Sequence, residues 1–235
     1  MTLQAQRQAP ASGGAPKQLV IFVHGYGANG ADLMGLAQPL ATVLPDAEFV
    51  APDAPDEVPG VPGGRQWFPI SALDLQEMTR GARAAAPALH AFIDAELART
   101  GLTDADLALV GFSQGTMLSL QTGLRRASAP AIIVGFSGAL PDVETLEAEI
   151  TARPPIFLAH GEADPVVPVQ ATPGAAQILA GLGLGVAVNL TPDLQHTIGP
   201  DGLHIAAAMM RDAFSGDLNL PPGAHNVMAA PQNGA

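Results

Sequence analysis

Residues 107 to 124 read LALVGFSQGTMLSLQTGL. Leu107 to Phe112 is an apolar run of strand length, and from Thr116 onward Met117, Leu118, Leu120 and Leu124 recur at helical spacing. Between them lies Gly111-Phe112-Ser113-Gln114-Gly115, a Gly-x-Ser-x-Gly pentapeptide at a strand-to-helix corner. A corner of this kind lifts a serine hydroxyl off the edge of a sheet, and the flanking positions must be small for the strand and helix backbones to pass. It also leaves the Gln114 backbone N–H at a helix N-terminus, facing any oxyanion formed at the serine.

The composition bounds what can surround this corner. The chain has 235 residues, enough for one well-buried domain. With 48% hydrophobic and 14% charged residues it has the makings of a large core. It has no cysteine, which removes disulfides, thiolate metal sites and cysteine nucleophiles. A formal net charge of −12 argues against a nucleic-acid partner. No run is long enough to enter a membrane stably, and no apolar leader segment opens the chain, so a cytoplasmic protein is expected.

In chain order, residues 1–17 read as a mobile arm or a weak edge strand. Leu19 to Val23 is a buried strand that runs into His24-Gly25-Tyr26-Gly27-Ala28-Asn29-Gly30, with a helix expected from Asp32 to Leu44. A strand near Glu48 to Ala51 leads into a long Pro- and Gly-rich loop over residues 52–71 that carries Arg65, Trp67 and Phe68. A helical stripe covers residues 74–99, where Pro87 should break or kink it. Strands follow at residues 131–136, 155–159 and 186–190, with helices at 173–182 and 200–214. Residues 215–235 read as a disordered tail, leaving 18–214 as the domain. Apolar strands alternating with helices indicate a mostly parallel sheet covered on both faces, whose ligands bind at the carboxyl ends of the strands.

A serine needs a base to take its proton, and the base needs a third group to fix its tautomer. The chain order that accompanies this corner is serine, acid, histidine. Downstream of Ser113 that order selects Asp164, in the strand-end run His160-Gly161-Glu162-Ala163-Asp164, and His196. His160 precedes the acid and reads as packing, and Asp193 reads as a loop-turning residue. Ser137 lacks a second spaced glycine and reads as a hydrogen-bonding neighbour of the site. The His24–Gly30 loop stands where the other half of an oxyanion hole belongs, with Tyr26 N–H beside Gln114 N–H. The same loop also matches Gly-x-Gly-x-x-Gly through Gly25, Gly27 and Gly30, with Asp53 where a ribose-binding acid would stand. That pattern makes a dinucleotide-dependent oxidoreductase the remote alternative. Trp67 and Phe68 are expected to wall an apolar acyl pocket. Arg65 is either a loop-pinning charge or a substrate contact.

Together, residues 19–33, 49–55, 63–70, 107–120, 136–140 and 160–168 and the His196 loop resemble the bacterial carboxylesterase/phospholipase branch of the α/β-hydrolases, relatives of the acyl-protein thioesterases. The resemblance implies an α/β-hydrolase fold without a cap domain and catalytic Ser113, Asp164 and His196. It also implies backbone oxyanion donors at Tyr26 and Gln114, and hydrolysis of small acyl esters with no cofactor and no metal. Phospholipase or acyl-protein thioesterase activity would use the same three residues. The family usually has glycine before its catalytic histidine, where this chain has Gln195. Relatives of this branch often dimerise, so a homodimer is carried over as an expectation.

Overall fold

Apolar residues that alternate along each strand divide the interior into two layers, one on each face of a central sheet. In the computed structural model, which describes residues 3–71 and 74–227, Leu19, Ile21 and Val23 join one core while Val20 and Phe22 join the other. The neighbouring strand repeats the division, with Leu107 and Leu109 on the first face and Ala108 and Val110 on the second.

The strands are β1 (Ala5–Gln8), β2 (Gln18–Val23), β3 (Ala47–Pro52), β4 (Asp56–Glu57), β5 (Arg65–Gln66), β6 (Leu107–Phe112), β7 (Ile132–Phe136), β8 (Ile156–Gly161), β9 (Val186–Thr191) and β10 (His225–Val227). Eight of them form one sheet in the order β1-β3-β2-β6-β7-β8-β9-β10, and only β1 runs antiparallel to its neighbour. The helices are α1 (Gly30–Met34), α2 (Ala37–Ala41), α3 (Leu75–Thr100), α4 (Gln114–Gly123), α5 (Val143–Glu149), α6 (Ala171–Gly181) and α7 (Pro200–Ser215). Helices α3 to α6 cover one face, and α1, α2 and α7 the other. Strand order reverses between β2 and β6, so the crevice at their carboxyl ends is the expected ligand site.

The alternating pattern of strands and helices is as expected, with local corrections. The arm is an edge strand, β1, paired with β3 from Ala5↔Pro52 to Gln8↔Phe49. The helix expected over residues 32–44 is split into α1 and α2. Pro39 falls in the first turn of α2, where a missing N–H forfeits no intrahelical bond. Conversely, α3 runs unbroken through Pro87 from its Asp74 cap to left-handed Gly101. Pro87 lies on the exposed face, where water can serve the carbonyl that it leaves unpaired. The loop at 52–71 contains the β4–β5 hairpin, and α5, unforeseen, occupies the segment after β7.

Residues 215–227 are not a disordered tail. Leu218 and Leu220 pack against the α7-side core, the chain turns at Gly223 (φ +76°), and β10 adds a parallel strand beside β9. The remainder of that expected tail, 228–235, lies outside the described residues, as do Met1 and Thr2 of the arm.

Phe22 is fully buried on β2 and stacks on Phe49 of β3, with ring centroids 5.9 Å apart. Phe22→Ala is expected to lower stability by about 3–5 kcal/mol. Urea unfolding should show a lower midpoint with an unchanged slope.

Candidate active site

The loops that leave β2, β6, β7, β8 and β9 meet at one edge of the sheet, because those five strands are consecutive neighbours. The corner after β6 is the tightest of them. Ser113 holds φ 55° and ψ −115°, a conformation that costs a non-glycine residue about 1–3 kcal/mol. Its N–H donates to Phe136 O at 2.8 Å, fixing the turn to the end of β7. The flanking glycines are required by close approach. A Cβ on Gly115 would lie 1.8 Å from Val23 O, and one on Gly111 would lie 2.5 Å from both Gly115 O and Thr116 N. Thr116 Oγ1 lies 2.9 Å from both Gly111 O and Phe136 O and ties the base of the corner to both strands.

Helix α4 starts at Gln114, so the Gln114 N–H has no intrahelical partner and faces out at the positive end of the helix dipole. The loop after β2 lies against the same corner: a Cβ on Gly25 would be 3.2 Å from Ser113 Cβ. Here a residue that the sequence reading passed over sets the geometry. His24 is fully buried, with Nδ1 2.7 Å from Gly25 O and Nε2 accepting from Ala54 N–H at 3.0 Å. This pattern calls for a neutral ring protonated on Nδ1. Burial pushes the ring's pKa below the usual histidine value, which favours that neutral form. The Gly25 carbonyl and the Tyr26 N–H belong to one planar trans peptide, so holding the oxygen toward His24 turns the N–H to the opposite side. Neither the Tyr26 nor the Gln114 N–H finds an acceptor among the described residues.

Trp67 and Phe68, expected to wall an acyl pocket, do not. They are 3% and 2% exposed and belong to the core. Trp67 Nε1 donates to His24 O at 2.9 Å, its ring lies 5.4 Å from the imidazole, and the Phe68 ring fills the space a side chain at Gly81 would need. The Gln114 side chain, 1% exposed, clamps this segment by accepting from Trp67 N–H at 2.9 Å and donating to Phe68 O at 2.8 Å. The two aromatics thus brace the β2 loop from behind. Arg65 is tied into the loop by its backbone and reaches the loop with its side chain. Its backbone exchanges hydrogen bonds with Gly27 and Ala28, and its side chain reaches Pro55 O at 3.5 Å and Glu57 at 3.9 Å.

The glycines of the β2 loop are also accounted for without a dinucleotide. Gly27 is left-handed (φ +80°), and a Cβ on Gly30 would lie 2.3 Å from Ala51 O. Asp53, the would-be ribose acid, instead accepts the Gly30 N–H at 2.8 Å. Helix α1 behind the loop is only five residues long.

At the far side of the crevice, the acid and the imidazole meet. His196 Nδ1 lies 2.7 Å from Asp164 Oδ2, and Asp164 Oδ1 accepts the Val166 and Val167 N–H groups at 2.8 and 2.9 Å. Burial raises the Asp164 carboxyl's pKa, but the hydrogen bond from His196 and the two backbone donors outweigh it and hold the group below the usual aspartate value. The carboxylate therefore stays charged at neutral pH and holds the proton of His196 on Nδ1, leaving Nε2 free to accept another. His160 is packing, as expected, and more besides. Buried, it lies 2.7 Å from Thr172 Oγ1 through Nδ1, and 3.0 Å from Val167 O and 3.1 Å from Asp164 Oδ2 through Nε2. Burial pushes its pKa down, so a neutral ring steadies the acid's loop.

The His196 loop reaches the end of β8 because Gly161 has no side chain: a Cβ there would lie 2.1 Å from Leu194 O. Asp193 turns that loop in the left-handed conformation (φ 58°). The imidazole is brought back to the serine corner by Phe112, whose ring centroid is 4.9 Å from that of His196. Ser137 is left-handed (φ 48°) with a buried hydroxyl. That hydroxyl finds no partner among the described residues, so the expected hydrogen-bonding role is not seen.

A family model described as phospholipase/carboxylesterase matches residues 7–212. The chain belongs to the phospholipase/carboxylesterase family. It is 30% identical to acyl-protein thioesterase 1 of Gibberella zeae over 86% of this chain and 91% of that one. It is 26% identical to esterase YpfH of Escherichia coli, covering 83% of this chain and 82% of the relative. Among solved structures, esterase PE8 superposes with a TM-score of 0.87 at 41% identity, covering 91% of this chain and all of that one. The chain is accordingly an α/β-hydrolase and an enzyme of the carboxylesterase kind. Among the described residues, no helix is long and apolar enough to cross a membrane.

Gly161→Ala forces the His196 loop outward, because its Cβ would meet Leu194 O at 2.1 Å. A displacement of about 1 Å at a catalytic group costs on the order of 100-fold. Steady-state ester hydrolysis by Gly161→Ala should show that loss in kcat, with the circular dichroism spectrum of the parent retained.

Proposed function

We propose that the chain hydrolyses carboxylic esters of short to medium acyl chains through an acyl-enzyme on Ser113. The observation that carries this reading is the 2.7 Å bond between His196 Nδ1 and a buried, charged Asp164, with the imidazole packed on the residue next to Ser113. Ser113 Oγ attacks the ester carbonyl while His196 Nε2 takes its proton, and Asp164 stabilises the imidazolium that forms. The N–H groups of Tyr26 and Gln114 hold the oxyanion, each such donor being worth roughly 10²–10³ in rate. His196 then returns the proton to the leaving alcohol, and in the second half-reaction draws one from the water that releases the acid. No cofactor or metal enters this sequence of steps.

A second reading is favoured by one observation, the 30% identity to a protein named acyl-protein thioesterase 1. A thioester would be cleaved by the same three side chains, so the two readings differ in substrate and not in mechanism.

Hydrolysis of p-nitrophenyl butyrate by the wild type and by Ser113→Ala tests the nucleophile. The variant is expected to lose at least about 10³-fold in kcat/KM, and near-parental rates would refute the assignment. Matched oxygen esters and thioesters of increasing acyl length separate the two substrate readings.

A further inference from the structure

Beside the imidazole lies a cleft that the reaction described above does not use. It has a volume of about 270 Å³ and is lined by Asp32, Leu33, Leu36, Phe112, Thr197 and Ile198, with Gly35 on its wall. Each stretch of its lining continues a site loop. Phe112 precedes Ser113, Thr197 and Ile198 follow His196, and Asp32 and Leu33 follow the β2 loop that carries Tyr26. The floor is the half-buried Phe112 ring, the one that also touches His196. Leu33, Leu36 and Ile198 make the walls apolar, and Asp32 is the only charged residue in the lining.

We propose that this cleft is the leaving-group subsite, which takes the alkyl or aryl portion of the ester's alcohol and disfavours anionic alcohols. The inference rests on the assignment of His196 as general base and acid. In ester cleavage the imidazole that deprotonates the nucleophile must next protonate the leaving oxygen, so the alcohol departs on the imidazole's side. The cleft adjoins that imidazole across the Phe112 ring and the turn at Thr197, whose N–H donates to Gln195 O at 2.8 Å. Its size suits one ring or a short alkyl chain, since a cavity of roughly 150 Å³ already holds benzene. The exposed Asp32 side chain, which accepts the Asn29 N–H at 2.9 Å, fixes a carboxylate in the lining. In a chain of net charge −12, that carboxylate repels a second negative charge.

Gly35 allows the cleft to be filled without disturbing the fold. Its backbone is right-handed helical (φ −57°, ψ −23°), and the nearest atom to an added Cβ is Asp32 O at 3.9 Å. The experiment measures kcat/KM for butyrate esters of methanol, benzyl alcohol and carboxybenzyl alcohol, and for methyl esters of increasing acyl length. Gly35→Phe is expected to lower the benzyl-to-methyl ratio by about tenfold or more, within the range that contacts in an apolar pocket command. Ile198→Ala, which enlarges the cleft from the opposite wall, is expected to raise relative rates on bulkier aryl alcohols. Asp32→Asn, which keeps a capping oxygen, is expected to raise the relative rate on the carboxybenzyl ester at low salt. Gly174→Phe, on an equally open position of α6, should retain the parental ratios.

A benzyl-to-methyl ratio that moves less than about twofold in folded Gly35→Phe would overturn the subsite. A change confined to the acyl-length series would also overturn it by giving the cleft to the acyl group. Failure of the catalytic reading looks different. There Ser113→Ala would still hydrolyse all these esters, whereas a flat ratio with Ser113 essential removes the subsite alone.

Discussion

The backbone of helix α4 passes so close to the end of strand β2 that no side chain fits between them, and the rest of the site depends on that approach. At Gly115 an added Cβ would sit 1.8 Å from Val23 O. Contact at this range brings the first turn of α4 against the His24–Tyr26 loop, so that Gly25 packs on Ser113. A protein interior is packed too tightly to absorb even one methylene without strain, so this edge has one arrangement and little slack. The strained dihedrals of Ser113 persist because the N–H bond to Phe136 and the Thr116 tie over-determine them.

A second tier of buried polar groups turns proximity into orientation. His24, Gln114 and Trp67 form a hydrogen-bonded brace behind the β2 loop, and His160 with Thr172 forms one behind Asp164. Both histidines are kept neutral by burial, which suits a ring that must donate at one nitrogen and accept at the other. Unmet partners in such surroundings are costly, so each brace holds its loop in a single state.

The sequence made some of this legible and hid the rest for identifiable reasons. Ser113, Asp164 and His196 were singled out by the spaced glycine motif and by the order serine, acid, histidine past strand ends, and the structure joins the last two. The close-approach glycines at 111 and 115 were legible as part of a spaced motif. The brace was not. The Gln114–Trp67 bond spans 47 positions and leaves no periodic trace, and Trp67, judged by its residue type, belonged as readily to a pocket as to the core. The return of the chain after α7 was missed because Leu218 and Leu220 are two isolated anchors among Pro, Gly and Asn, too sparse to show a period. Gly161 stood in plain view, but only the coordinates show which loop needs the room it leaves.

Covalent labelling tests the central claim most directly, since it asks whether Ser113 is the activated hydroxyl of this fold. The folded protein would be treated with a fluorophosphonate and digested, and the adduct located by mass spectrometry. The account predicts a single phosphonylated peptide containing Ser113, with labelling abolished in His196→Ala. A label at Ser137 or elsewhere, or a folded protein that takes no label at all, would contradict it.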